Sequence, residues 1–141
     1  MINKIVYDDI LVRHWILPQF NYDLKDIYTF FKDVYKVESI SIGHYLFQLH
    51  NCIHYKALVS GDYSDYIKLI TTSKQYEHSL DIFLKLKDNF NPDILYDERN
   101  KIKIAFYPDL NKYVIRDGVH RLSILLYNGM ELDSNWFVLD K

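Results

Sequence analysis

The chain has 141 residues, a length that suits one domain built around a single core. Hydrophobic residues make up 49% and charged residues 26%, and the 13 tyrosines and 8 phenylalanines are spread along the chain, which excludes a disordered polymer. The net charge of −2 disfavours broad, non-specific binding to nucleic acid, because such binding needs a basic surface.

The cysteine content and the amino terminus bear on the cellular location. Cys52 is the single cysteine, so an internal disulfide and a paired-cysteine metal site are excluded, and we expect a buried core residue there. The first residues, Met1-Ile2-Asn3-Lys4, are not followed by the apolar run of a signal peptide. No apolar stretch approaches the roughly 18 residues of a membrane span. These features predict a cytoplasmic protein.

Short strands and one helix are predicted near the start of the chain. Residues 1–17 contain brief apolar stretches that predict one or two strands. Along 23–35, apolar residues recur at spacings of three and four, which is the pattern of a helix with one buried face. Residues 37–42 predict a short extended segment.

Two further helices are predicted before the middle of the chain. The first covers about 44–57, and its His50 and His54 are assigned to a solvated face, because a zinc site would need a third ligand. Ser60-Gly61-Asp62 predicts a break in the chain. Another helix then runs to about Ile70.

The hydrophobic pattern changes in the C-terminal half. A helix with an apolar stripe is predicted at 77–89, ending before Asn91-Pro92. Alternation of polar and apolar residues predicts a strand at 101–106, and Pro108-Asp109-Leu110-Asn111 predicts a hairpin turn. A strand at 113–115 and a sharp turn at 117–121 follow. A helix at 122–129, ending in a C-cap, and a last strand at 136–139 complete the predicted elements.

Together these elements predict one α+β domain, with a small mixed β-sheet and helices packed on it. A core of about residues 75–139 carries the sharp turn, and residues 1–74 are predicted to form a helical extension of the same domain.

The sharp turn, Asp117-Gly118-Val119-His120-Arg121, is the best candidate for a functional site. A helix N-terminus exposes unpaired N–H groups and the positive end of the helix dipole, so it binds anions such as phosphate. Gly118 permits either close approach of a ligand or a left-handed backbone. Arg121 offers a forked donor for phosphate oxygens, and His120 can donate from a ring nitrogen.

Asp117 has three possible roles in this turn. Its carboxylate suits a helix cap, a Mg²⁺ ligand, or a base that accepts a proton from an attacking hydroxyl. The structural alternative stays open at this point, because Asp-Gly turns before helices are common in proteins without any ligand.

The segment from Lys112 to Gly129, KYVIRDGVHRLSILLYNG, resembles the signature of the ParB/sulfiredoxin superfamily: a strand, Asp-Gly-x-His-Arg, then an apolar helix ending in Gly. Upstream, Glu77-His78-Ser79 opens a helix that leads into the strand and hairpin, as in that superfamily. The similarity covers about residues 75–139.

The individual residues distinguish branches of this superfamily. Val119 stands where sulfiredoxins carry their reactive cysteine, so sulfinic-acid reduction is not expected. ParB proteins bind CTP and continue into a helical DNA-reading domain, whereas 20 residues follow Arg121 here. The free-serine kinases keep the motif and add a Glu at the start of the preceding helix, where this chain has Glu77.

The kinase resemblance implies roles for the motif residues. Glu77 and Asp117 are the catalytic acid-base candidates, Asp117 is also the Mg²⁺ ligand, and the four residues that follow it hold the phosphates of ATP or ADP: Gly118, Val119, His120 and Arg121. Glu77 also has a structural explanation, because an acidic residue in a first helical turn favours the helix dipole.

A second similarity concerns the acceptor. The order Glu38-Ser39, His44-Tyr45, Gly61-Asp62-Tyr63 and then Tyr66 is similar to that of small ParB-like proteins encoded with bacterial surface-polysaccharide enzymes. It implies that Glu38 and His44 bind a sugar or polyol substrate.

The predicted function is therefore an ATP-dependent phosphotransferase acting on a small hydroxyl compound such as a sugar, polyol or serine. The alternatives are a non-catalytic nucleotide-binding regulatory module and a ParB-like nuclease or DNA-associated protein. The predicted partners are a nucleotide and a small molecule. The oligomeric state stays open, with a homodimer as one option.

Overall fold

A computed structural model of the protein describes residues 4–15, 35–41, 44–72 and 79–140. The helix predicted at 23–35 lies outside these residues except for Tyr35, and so does the start of the helix predicted at 77–89, including Glu77.

Six strands in the described part of the chain form one mixed sheet. In the order β2-β3-β1-β5-β4-β6, the pairs β1–β5 and β4–β6 are parallel and the other pairs are antiparallel. The strands are β1 (Ile10–Trp15), β2 (Ser39–Ser41), β3 (His44–Gln48), β4 (Ile102–Tyr107), β5 (Lys112–Asp117) and β6 (Phe137–Leu139). The expected α+β domain with a mixed sheet is confirmed.

Four α-helices lie within the described residues: α1 (Ile53–Ser60), α2 (Ser64–Thr72), α3 (Leu80–Asp88) and α4 (Val119–Tyr127). Gly61, at φ 74°, ends α1, which confirms the predicted break. The predicted C-cap of α4 is also confirmed. The N–H of Met130 donates to the carbonyl of Leu125, and the N–H of Gly129 donates to the carbonyl of Leu126, as in a Schellman motif.

The helix predicted at 44–57 is wrong over residues 44–52. β3 occupies 44–48 and a 3-10 turn covers 49–51. α1 begins at Ile53, and Cys52 is its N-cap, because the Cys52 thiol accepts a hydrogen bond from the N–H of Tyr55. The run Tyr45-Leu46-Phe47 is buried on both faces of the sheet, and such a run has no strand-like alternation in sequence. Its pairing with β1 decides its conformation.

The described part of residues 1–74 therefore supplies three strands to the sheet as well as α1 and α2, which differs from the helical extension predicted for this segment. The short strands predicted within 1–17 and 37–42 are observed as β1 and β2. Since β1 lies between β3 and β5, it joins the N-terminal strands to the strand that leads into the sharp turn.

The helices cover one face of the sheet and form two apolar clusters with it. One cluster packs α4 on β1, β4 and β5, and the other joins α1, α2 and α3 to β3. Three polar side chains are buried with them: His14, His54 and Ser123. The rings of the two histidines contact each other, and the ring of His54 also contacts that of His120 in α4.

Candidate functional site

The sharp turn joins the end of β5 directly to α4. Asp117 is the last residue of β5, Gly118 has φ 109°, and α4 begins at Val119. A Cβ on Gly118 would lie 3.0 Å from Nη2 of Arg121 and 3.1 Å from Cγ1 of Ile102. Of the two roles that sequence left open for this glycine, the structure shows the left-handed backbone, combined with close packing of Arg121.

The N-terminus of α4 has no side-chain cap among the described residues. The N–H of Leu122 donates to the carbonyl of Gly118 at 2.9 Å and closes the first helical turn. The amides of Val119, His120 and Arg121 precede that bond and are the donors that a helix start offers to an anion. Asp117 is therefore not used as a helix cap.

Arg121 is held against this turn with only weak contacts. Its Nη2 donates to the carbonyl of Lys101 at 3.4 Å and lies 3.6 Å from Oδ2 of Asp117. The side chain is 19% exposed, and the described residues provide no hydrogen-bond partner for its buried Nε. A buried donor on a charged group costs free energy when it is unpaired, so this guanidinium has capacity for an anionic acceptor.

Asp117 lies at the rim of the turn with a side chain that is 59% exposed. Its ion pair with Arg121 is long and solvated, so it contributes little to stability. Residues 4–15, 35–41, 44–72 and 79–140 contain no group of three or more His, Cys, Asp or Glu side chains that would hold a metal ion. A single exposed carboxylate is compatible with Mg²⁺ binding, because this ion keeps several waters and takes further ligands from the phosphates of a bound nucleotide.

His120 is enclosed by aromatic rings from the other helices. Its Nε2 lies 2.9 Å from the hydroxyl oxygen of Tyr66 on α2, within hydrogen-bond distance. The ring of Phe83 on α3 stands perpendicular to it at 5.0 Å between centroids. The ring of His54 on α1 lies 4.6 Å away at 80°. Three helices therefore hold this imidazole beside the N-terminus of α4.

A row of imidazoles continues from the turn into the fold. His54 is 3% exposed, and its ring is parallel to that of His14, near the end of β1, at 6.0 Å between centroids. The assignment of His54 to a solvated face is wrong, because α1 begins only at Ile53 and His50 belongs to the preceding 3-10 turn. The buried Ala57 and Leu58, three and four residues after His54, are the sequence signal for an inward face.

The structure separates the two residues expected to bind substrate. His44 opens β3 in register with Trp15, the last residue of β1. Because β1 runs parallel to β5, the backbone of His44 lies at the same end of the strands as Asp117, which is the last residue of β5. Glu38 is exposed and precedes β2 at the other end of that strand, where its N–H donates to the carbonyl of Leu46. Glu38 is thus not brought to the turn.

Cys52 lies inside the core, as expected from the sequence. It is 1% exposed, and its sulfur lies 3.7 Å from Oγ of Ser123 on α4. Burial raises the pKa of the Cys52 thiol to about 11, despite hydrogen bonds that lower it. The sulfur is therefore a neutral thiol near pH 7, and it is not a nucleophile.

A scan against family models finds no match to this chain, and comparisons with curated proteins and with solved structures find none either. Within the part of the chain that the structure describes, no helix has the length and apolar character needed to cross a membrane.

Proposed function

We propose that this protein is a nucleotide-dependent phosphotransferase that uses ATP to phosphorylate a small hydroxyl compound, such as a sugar, a polyol or serine. The observation that carries the proposal is the start of α4, where, among the described residues, no side chain caps the backbone amides and none pairs with the buried Nε of Arg121. The resemblance of the Asp117–Arg121 turn to the kinase branch of the ParB/sulfiredoxin superfamily supports it.

The phosphate side of the proposed site uses the N-terminus of α4 and the side chain of Arg121. The amides of Val119 and His120 and the helix dipole attract phosphate oxygens. Arg121 adds fixed donors, and its position against Gly118 holds them close to the first turn. These groups favour a transition state in which negative charge spreads over the transferred phosphoryl group.

The acceptor side requires a base and a place for the hydroxyl compound. Glu77 or Asp117 would accept the hydroxyl proton while the acceptor oxygen bonds to the γ-phosphorus and the bond to the β-phosphate oxygen breaks, leaving ADP. A Mg²⁺ ion, when bound through Asp117, would neutralise phosphate charge. The backbone of His44 lies at the same end of the strands as Asp117, so His44 is a better substrate candidate than Glu38.

A non-catalytic nucleotide-binding module is the second candidate. It is favoured by the turn at 117–121, which has one acidic residue, Asp117. The Asp117 side chain is largely exposed, and its ion pair with Arg121 is long, at 3.6 Å. Both functions require nucleotide binding, but only the phosphotransferase requires an acceptor pocket and turnover.

The test measures binding and turnover on the same preparation. Calorimetry with ADP, with and without Mg²⁺, reports binding, and ADP release from ATP against a panel of serine, inositols and sugars reports turnover. We expect ADP to bind and one acceptor class to raise ADP release above the acceptor-free rate. Binding without any acceptor-dependent release supports the regulatory module, and absence of nucleotide binding removes both functions.

A further inference from the structure

A cavity of about 450 Å³ lies beside α1, on the side of the helix that faces away from the sharp turn. The ring of His54 contacts that of His120, whereas Lys56, two positions after His54, lines the cavity. At about 3.6 residues per turn, two positions separate side chains by roughly 200° around the helix axis. Small-molecule sites have volumes of about 300–1,000 Å³, so the cavity is a candidate ligand site separate from the start of α4.

Side chains of both charges line this cavity. Lys56 supplies an ammonium group, and Asp62 and Asp65, just before α2 and in its first turn, supply two carboxylates. The phenol of Tyr35 donates to Oδ2 of Asp65 at 2.7 Å, and the N–H of Ser64 donates to Oδ1 of Asp62 at 3.0 Å. A carboxylate accepts hydrogen bonds at both of its oxygens, so these bonds orient the two groups and leave them able to accept from a ligand.

Aromatic and aliphatic side chains form the rest of the lining. Tyr35 is 6% exposed, and the Nζ of Lys56 lies 5.5 Å from the centroid of its ring. Ile53 and Tyr55 of α1 add further apolar surface. Because Lys56 already lies over the ring of Tyr35, a cationic ligand would meet a like charge at the face where an aromatic ring attracts cations.

The combination of these groups selects a class of ligand. An anion would meet two carboxylates, and a cation would meet the ammonium group of Lys56. A hydroxyl group is neutral and both donates and accepts, so a molecule with several hydroxyls can donate to Asp62 and Asp65 and accept from Lys56. Its C–H groups can pack on the apolar part of the lining.

We propose that this cavity binds a neutral, hydroxyl-rich small molecule of the class of hexoses and inositols. Asp62 and Asp65 accept hydrogen bonds from its hydroxyls, Lys56 donates to one of its oxygens, and Tyr35 packs against its C–H groups. The site uses none of the residues of the sharp turn. It therefore holds whether or not the protein is a phosphotransferase.

The first test measures binding in the absence of nucleotide. Calorimetry uses glucose, galactose, mannose and myo-inositol as neutral probes, and glucosamine, glucuronate and serine as charged ones. We expect at least one neutral probe to bind with a Kd of about 1 mM or lower, as ligands of this size allow. The proposal is overturned if no neutral probe shows saturable binding at roughly ten times that concentration.

The second test places the ligand in the cavity. Lys56→Met keeps the aliphatic stem and removes the donor, and Asp65→Asn keeps the shape of the side chain and removes its charge. Each should raise the Kd of the neutral probe about 10-fold or more, the effect of losing a hydrogen bond to a charged group. Unchanged affinity in either variant overturns the proposal. So does a charged probe that binds more tightly than every neutral one and loses its binding in these variants.

Matched variants outside the cavity are the controls. Asp81→Asn changes an exposed carboxylate in the first turn of α3, as Asp65 is in the first turn of α2, and Lys85→Met changes an exposed lysine of α3. Both should keep the native affinity for the neutral probe. Arg121→Ala should keep it too, and a loss there at unchanged melting temperature would move the ligand to the sharp turn and overturn the proposal. Thermal unfolding checks that every variant keeps the fold.

Discussion

Gly118 and Arg121 fit against each other at the start of α4, since a Cβ on residue 118 would lie 3.0 Å from the guanidinium Nη2. The same Cβ would meet Ile102 of β4, so the glycine allows the turn, the strand and the arginine to pack together. Any side chain at 118 must displace one of them, in addition to adopting a φ of 109°.

The first prediction concerns this contact. Gly118→Ala should lower the free energy of unfolding by about 2–5 kcal/mol, from left-handed strain together with overpacking. Gly61→Ala is the matched control, because Gly61 has φ 74° and no atom within 4 Å of its Cβ position. It should cost roughly 1–2 kcal/mol from strain alone. Urea unfolding measures both, and equal losses would contradict the packing role.

The second prediction concerns the proposed anion site at the start of α4. Arg121→Ala should weaken ADP binding by about 1.5–3 kcal/mol, the range for hydrogen bonds to a charged group. Arg99→Ala is the control, because Arg99 is exposed and pairs only with Asp97 among the described residues. Calorimetry on folded variants measures the affinities. Unchanged affinity in Arg121→Ala would remove the phosphate site from the turn.

The third prediction separates an enzyme from a binding module. If Glu77 and Asp117 transfer a proton or hold Mg²⁺, Glu77→Gln and Asp117→Asn should lower kcat by at least about 100-fold with little loss of ADP affinity. Glu77 lies outside the described residues, so this experiment also tests its place in the site.

The control for Glu77→Gln and Asp117→Asn is the same change at a carboxylate outside the turn. Asp109→Asn changes an exposed residue between β4 and β5 and should keep the full rate. If Glu77→Gln also keeps the full rate on an acceptor that the native protein phosphorylates, Glu77 is not the base.

The fourth prediction concerns Cys52. Because its thiol stays protonated near pH 7, Cys52→Ser should keep nucleotide binding and turnover, and a loss of activity at unchanged melting temperature would reopen thiol chemistry. Burial raises the thiol pKa from 9.0 to about 11. The unfolded chain therefore loses this proton first, and native stability should fall between about pH 9 and pH 11.

Urea unfolding at a series of pH values measures this alkaline loss. Each pH unit inside the window should cost the native protein up to about 1.4 kcal/mol from this one group. Buried tyrosines such as Tyr66 add to the loss at the upper end. Cys52→Ser should show a smaller slope between pH 9 and pH 10, and an identical slope would mean that the thiol ionises alike in both states.

Local sequence patterns were sufficient for the C-terminal half of the fold. The β4–β5 hairpin, the glycine turn at Gly118 and the end of α4 at Gly129 depend on residues within a few positions of one another. Alternating side chains, a left-handed glycine and a helix C-cap are each visible at that range. The candidate turn was found for the same reason.

Long-range contacts decided the rest. Tyr45, Leu46 and Phe47 form a strand because they pair with β1 more than thirty positions earlier, and their continuous apolar run has no period that would show it. Because the helix was predicted to begin at 44 and not at Ile53, His54 was assigned to its solvated face, although it lies on the buried face with Ala57 and Leu58. Tyr66 reaches His120 across 54 positions. Sequence determines which residues carry chemistry, but the packing of separate helices decides which of them meet, because side-chain contacts between elements leave no periodic signal along the chain.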